Sequence, residues 1–107
     1  MTRYQEANEL LVATWIRYQQ FGELFDREGD YWAVIKLNEL CEHDAPQAII
    51  TIIEILTRNQ SDLIVEALTN GPLRDLLAHH GQCAQESLER KAASNPLFGS
   101  MLRSLQP

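Results

Sequence analysis

The sequence has 107 residues, of which 45% are hydrophobic and 22% are charged, a composition typical of one folded domain rather than a disordered chain. It contains no run of about 18 apolar residues and no signal-peptide pattern, so we expect a cytoplasmic protein without a membrane span, with residues 1–107 forming a single domain. The two cysteines, Cys41 and Cys83, are expected to be reduced thiols.

The net charge of −6 is unevenly distributed. Residues 23–66 contain ten acidic and three basic residues, a net charge of −7, whereas the segments on either side are close to neutral. This acidic middle argues against nonspecific nucleic-acid binding, which depends on lysine and arginine contacts to phosphates. It is compatible with docking onto a basic protein, and a solvated face that only maintains solubility is the simpler alternative. The residues proposed for such a partner-binding face are Glu39, Glu42, Asp44, Glu54, Asp62 and Glu66.

The first 45 residues show two helical patterns. Leu11, Trp15 and Tyr18 follow the spacing i, i+4, i+7 and predict a first helix over roughly residues 4–21. Asp30 is predicted to cap the start of a second helix. Both tryptophans are expected in the core, and Phe25 and Tyr31 partly exposed. The apolar set predicted for the second helix is Trp32, Ile35, Leu37, Leu40 and Cys41.

The isoleucine-rich segment that follows predicts a central helix over residues 46–59. Its β-branched residues favour a strand. However, Ile49, Ile52 and Leu56 fit a helical stripe, and the sequence offers no second strand for pairing. Four shorter helices are predicted beyond it, the first closed by Asn70 and Gly71 and the next begun by Pro72 and ended by Gly81. We therefore predict an all-α fold of six or seven short helices stacked as antiparallel pairs, similar to an α-solenoid unit, although no clean repeat is present.

Two clusters have residue types that bind metals or catalyse reactions. Asp75, His79 and Cys83 are spaced i, i+4, i+8, with His80 adjacent, but Gly81 is expected to end the helix and redirect Cys83. Histidines in a last helical turn also interact favourably with the helix dipole. The second cluster, residues 41–44, cannot easily converge on one ion. We expect no catalytic residues, metal or cofactor, and keep the first cluster as a secondary candidate site.

The C-terminal half contains the segment GPLRDLLAHHG at residues 71–81, then Glu89, and then an Asn-Pro-x-Phe motif at residues 95–98. With these features, residues 46–105 resemble the DUF6869 family of uncharacterised bacterial domains. Arg74 stands where the family usually has an acidic residue, and the family's terminal Val-Trp pair is absent. The resemblance implies a helical fold and a bacterial or phage origin, and it carries no established activity.

Three functions are consistent with the sequence. The first is a small acidic protein-binding module, such as a bacterial immunity or inhibitor protein that docks on a basic partner. The second is a structural or regulatory domain that acts through homo-oligomerisation of its helices. The third is a metal or cysteine enzyme at the secondary candidate site. The absence of a glycine-rich phosphate loop, an oxyanion loop and an H-E-x-x-H motif favours the non-catalytic interpretations.

Overall fold

Helices form nearly all of the computed structural model, which describes residues 3–25 and 28–105 without the side chains of residues 3–6, 22–25, 28, 82 and 83. No strand is present in these described ranges, so the all-α prediction is confirmed. A 3-10 turn, Glu28–Asp30, precedes the second helix, and a π-helical turn, Thr69–Leu73, joins the fourth helix to the fifth. The helices are α1 Arg3–Phe25, α2 Trp32–His43, α3 Ala45–Arg58, α4 Asp62–Leu68, α5 Arg74–His80, α6 Gln82–Ser94 and α7 Pro96–Ser104.

The helix α3 is the central element, as the sequence predicts. Asp44 caps its first turn by accepting a hydrogen bond from the Gln47 amide at 3.3 Å, and Pro46 occupies the first turn, where its missing N–H is not needed. Its buried face contacts α1, α2, α5 and α6. The buried apolar residues of α3 are Ala48, Ile49, Ile52, Ile55 and Leu56.

The helix α1 is joined to the 3-10 turn that precedes α2 by an ion pair between Arg17 and Asp30. The guanidinium Nε and Nη2 donate to the two carboxylate oxygens at 2.8 and 2.9 Å, a bidentate arrangement. Asp30 therefore does not cap α2, and that prediction was wrong: it lies in the 3-10 turn, and Tyr31 takes the N-cap position without a side-chain cap. On the other side of α1, Trp15 is buried, as expected.

The buried face of α2 differs from the predicted one. Trp32 is 41% exposed and Ile35 is 47% exposed, whereas Ala33, Leu37 and Cys41 are fully buried. These three residues are spaced by four and lie on one side of α2, a helix that packs against α1, α3 and α5. Trp32 and Ile35 lie on the opposite side of the same helix. The expectation that Trp32 belongs to the core was therefore wrong. Tyr31 is 45% exposed, as expected, and Phe25 lies outside the described side chains.

Asn70, Gly71 and Pro72 do not separate two helices, contrary to the sequence prediction. The chain continues from α4 through the π-helical turn into α5, and Leu68, Leu73 and Arg74 all have right-handed helical dihedrals. Proline lacks an N–H and its ring crowds the preceding turn, and the wider π turn accommodates both effects. At the start of the turn, Thr69 Oγ1 donates to the Val65 carbonyl at 2.7 Å, and the same carbonyl accepts from the Thr69 backbone N–H.

The π turn also keeps the two halves of this long helix facing the core. Ile64 and Leu76, both fully buried, are twelve residues apart. In a regular α-helix they would be rotated by about 120° from each other, since each residue turns by about 100°. One extra residue accommodated in the π turn reduces that difference to about 20°. The insertion therefore returns α5 to the side of the core that α4 faces.

The C-terminal helices form a closely packed pair after a glycine turn. Gly81 has φ +47°, a conformation that favours glycine, and it ends α5 as predicted. The Asn-Pro-x-Phe motif is explained by α7: the Asn95 side chain accepts from the Phe98 amide at 3.1 Å, and Phe98 is fully buried. The radius of gyration is 13.3 Å, close to the ~13 Å expected of a compact domain of this length. Within the described residues, no helix has the length and apolar character needed to cross a membrane.

Candidate functional site

An open groove of about 420 Å³ lies between α1 and α2. Its α1 wall carries Leu10, and its α2 wall carries Trp32, side chains that are 59% and 41% exposed. Large apolar side chains left in solvent beside a concave surface are typical of binding sites rather than of random surface positions. The described residues that line the groove are Ala7, Asn8, Leu10, Leu11, Trp32, Lys36, Leu40, Asp44 and Gln47.

The polar side chains at the base of the groove are joined in one hydrogen-bonded cluster. The fully buried Thr51 hydroxyl lies 2.8 Å from Asn8 Oδ1 and 2.9 Å from the Gln47 carbonyl, and its single proton serves one of them at a time. Gln47 Nε2 donates to the same Asn8 oxygen at 3.2 Å. Asn8 Nδ2 in turn donates to Glu54 Oε2 at 3.3 Å. The cluster therefore ties α1 to α3 beneath the groove.

A stripe of exposed residues on the outer side of α2, Trp32, Ile35, Glu39 and Glu42, adjoins the groove. Their spacing of three, four and three residues places them on one helical face. The first two are apolar and the last two acidic, and all four are exposed. We call this set the outer stripe of α2. It combines an apolar half at the helix start with a negative half toward the helix end.

The six acidic candidates from the sequence do not form one face. Glu39 and Glu42 lie on the outer stripe, and the exposed Asp44 lies at the groove while it caps α3. Glu54 is half-buried and binds Asn8, so its carboxylate already has a structural partner. The structure thus gathers three of the six beside the groove. The other two, both exposed on α4, are Asp62 and Glu66.

The secondary candidate site lies at the α5–α6 turn. Asp75 is half-buried in the first turn of α5, His79 is exposed, and Gly81 redirects the chain before Cys83, whose side chain is outside the described set. His80 lines a small cavity of about 100 Å³, and its Nε2 is buried without a hydrogen-bond partner in the structure. Among the described side chains, no three His, Cys, Asp or Glu residues come close enough to hold a metal ion.

The Cys41 thiol is fully buried in the core, as its position in the apolar pattern predicts. Burial raises its pKa to about 12, with a smaller contribution from the charge of Asp75. A thiol held in its neutral form is a poor nucleophile and a poor metal ligand. Cys41 therefore acts as an apolar core residue.

The sequence carries only part of the signal for the groove. Trp32 and Ile35 are predicted to be buried because they are large and apolar. Their spacing relative to Glu39 and Glu42 places all four on one face, and an amphipathic helix does not bury a face that carries two glutamates. The residues of α1 that complete the groove give no such signal, since Leu10 follows the helical pattern only loosely.

Residues 21–105 match the DUF6869 family, described as a family of unknown function. The match begins upstream of the segment on which the sequence resemblance was based and includes the whole of α2. No curated protein matches the chain, and no solved structure does.

Proposed function

The chain belongs to the DUF6869 family, whose function is unknown, and from its surface we propose that it is a small, acidic, non-catalytic protein-binding module with a basic partner. The observation that carries this proposal is the outer stripe of α2, where Trp32 and Ile35 are exposed next to Glu39 and Glu42. Protein interfaces combine apolar anchors with a polar rim in this way. We further propose that the module is a cytoplasmic bacterial immunity or inhibitor protein.

The two halves of the stripe have different roles in this proposal. An exposed ion pair contributes only about 0.2–1 kcal/mol, so the glutamates alone cannot give tight binding. A tryptophan buried at an interface centre often contributes about 2 kcal/mol or more. Trp32 is therefore the affinity anchor, while Glu39 and Glu42 accelerate association and select a basic partner.

A pair of matched charge reversals tests the proposal. Glu39→Lys with Glu42→Lys reverses the stripe, and Glu86→Lys with Glu89→Lys makes the same charge change at the same spacing on α6, where both glutamates are also exposed. We expect the wild-type protein and the α6 variant to recover the same basic protein from lysates of the native cell, and the stripe variant to lose it. Retention of that protein by the stripe variant would refute the proposal.

Homo-oligomerisation is a second candidate function, because Leu10, Trp32 and Ile35 leave apolar surface exposed. A second copy of the chain could cover this surface in place of a foreign partner. Sedimentation velocity over a range of protein concentrations distinguishes the two. A stable dimer that dissociates on Ile35→Lys substitution supports homo-oligomerisation, and a monomer at all concentrations contradicts it.

A further inference from the structure

We propose that the groove between α1 and α2 binds one basic amphipathic helix of the partner protein. This inference rests on the proposed function and specifies the form of its ligand. The groove is open to solvent, and its two walls are the helices α1 and α2. On the α2 wall, Trp32, Lys36 and Leu40 are spaced by four and extend over about 12 Å, at about 1.5 Å per residue. A bound helix with apolar residues at i, i+4 and i+7 spans about 10.5 Å and matches this length.

The base of the groove favours apolar anchors rather than a polar ligand. The amide groups of Asn8 and Gln47 are hydrogen-bonded within the cluster that contains Thr51. An apolar side chain that covers Asn8 Oδ1 and the two amide nitrogens leaves the hydrogen bonds of these atoms in place, which limits the cost of burying them.

Charge determines which helix fits. Asp44 lines the groove, and Glu39 and Glu42 are exposed on the adjacent outer stripe of α2, so the groove and its surroundings carry three carboxylates that attract a basic ligand. Among the described residues that line the groove, Lys36 is the single cation, and it accommodates one acidic residue on the ligand. A second copy of this chain is a poorer occupant, because a two-fold contact centred here brings the same glutamates of the two copies together.

The two tryptophans make the test direct. Trp15 is 1% exposed and Trp32 is 41% exposed, so only Trp32 emission should shift to shorter wavelength when the groove is covered. The probe is a synthetic 18-residue helical peptide with leucines at i, i+4 and i+7 and lysines on its flanks. Its controls are the same peptide with glutamates in place of lysines and a scrambled lysine peptide. The protein is the full chain. The Trp32→Phe variant is the reference, because its remaining tryptophan is buried and its emission should not shift.

We expect the lysine peptide to shift the emission saturably and the glutamate and scrambled peptides to bind at least tenfold more weakly. Leu10→Ser should weaken binding at least fivefold, whereas Leu63→Ser should not, although both leucines are exposed, by 59% and 49%. Equal binding of the lysine and glutamate peptides, or an unchanged affinity of the Leu10 variant, would overturn the inference. So would sedimentation of the free chain as a dimer that the lysine peptide cannot dissociate.

The result is separable from that of the proposed function. If the peptides fail but the Glu39 and Glu42 reversal still releases the native basic protein, then the helix-in-groove binding mode is wrong and the binding module remains. If the peptides bind but the reversal releases nothing, the groove accepts helices and the proposed basic partner is wrong.

Discussion

Replacing Thr51 by valine tests whether the polar cluster beneath the groove stabilises the fold. Valine has the same shape as threonine, so the substitution removes the buried hydroxyl without opening a cavity. The hydroxyl has two acceptors within 2.9 Å, Asn8 Oδ1 and the Gln47 carbonyl, and it is fully buried. An intramolecular hydrogen bond contributes about 0.5–1.5 kcal/mol net to the free energy of unfolding.

The loss of unfolding free energy expected for Thr51→Val is at the middle of that range. Asn8 Oδ1 keeps its second bond, from Gln47 Nε2 at 3.2 Å, so it is not left unsatisfied and the larger penalty of about 1–3 kcal/mol does not apply. We therefore expect Thr51→Val to lower the free energy of unfolding by about 1 kcal/mol, which lowers the Tm of a domain of this size by about 4 °C.

Thr57→Val is the matched control. Thr57 lies on the same helix, and its hydroxyl donates to the Ile53 carbonyl at 2.9 Å, but the residue is exposed. Its substitution should change the free energy of unfolding by less than about 0.5 kcal/mol. Urea unfolding at several temperatures measures both variants. The stabilising role inferred for the cluster is refuted if the two substitutions lower the free energy of unfolding equally, or if Thr51→Val does not change it.

Three further predictions concern the helix ends and the core. Gly81→Ala should lower the free energy of unfolding by about 1–3 kcal/mol because its φ is positive. In contrast, Gly71→Ala should raise the free energy of unfolding by up to about 1 kcal/mol, since a Cβ there meets nothing within 4 Å. If urea unfolding finds the Gly81 variant more stable than the Gly71 variant, the backbone conformations described for the two glycines are contradicted. Asn95→Ala should lower the free energy of unfolding by about 1 kcal/mol and Ser61→Ala by less than about 0.5 kcal/mol, because of these two residues only Asn95 makes a capping hydrogen bond. Similar losses for the two variants in thermal unfolding would argue against the Asn95 cap. In a variant whose other cysteine is serine, Cys41, with its pKa near 12, should react with a thiol reagent at pH 8 about 10³-fold more slowly than in urea; fast native reaction would show that the thiol is accessible.

The elements that the sequence predicted correctly depend on local signals. The helix α3 has an N-cap, a first-turn proline and a strong apolar stripe. Gly81 ends a helix because glycine accepts a positive φ, and Asn95 begins one because its side chain caps the first turn. Where tertiary contacts decide, the sequence was insufficient. Asp30 is a good capping residue, but an arginine thirteen positions earlier binds its carboxylate. The location of Trp32 depends on which side of α2 the other helices approach.

The groove could not be predicted from the sequence for the same reason. Its walls come from residues 7–11 and 32–47, which only the packing of α1 against α2 brings together. The size and apolar character of a residue predict that it is buried, and this prediction is right for Trp15 and Phe98. It fails where an apolar residue shares its helical face with charged ones, and such exceptions indicate binding surfaces.

The π turn at Thr69–Leu73 has an evolutionary consequence: it makes the chain tolerant of a one-residue deletion inside a helix that packs against the core. A turn closed over five residues contains one residue more than a regular turn, and the downstream helix is oriented as if that residue were absent. Removing Asn70 while replacing Pro72 by alanine therefore yields an uninterrupted helix that keeps Ile64 and Leu76 on one face. Relatives that are one residue shorter between these two positions should retain the same core, and an alignment gap there marks a change of helix type rather than a loop.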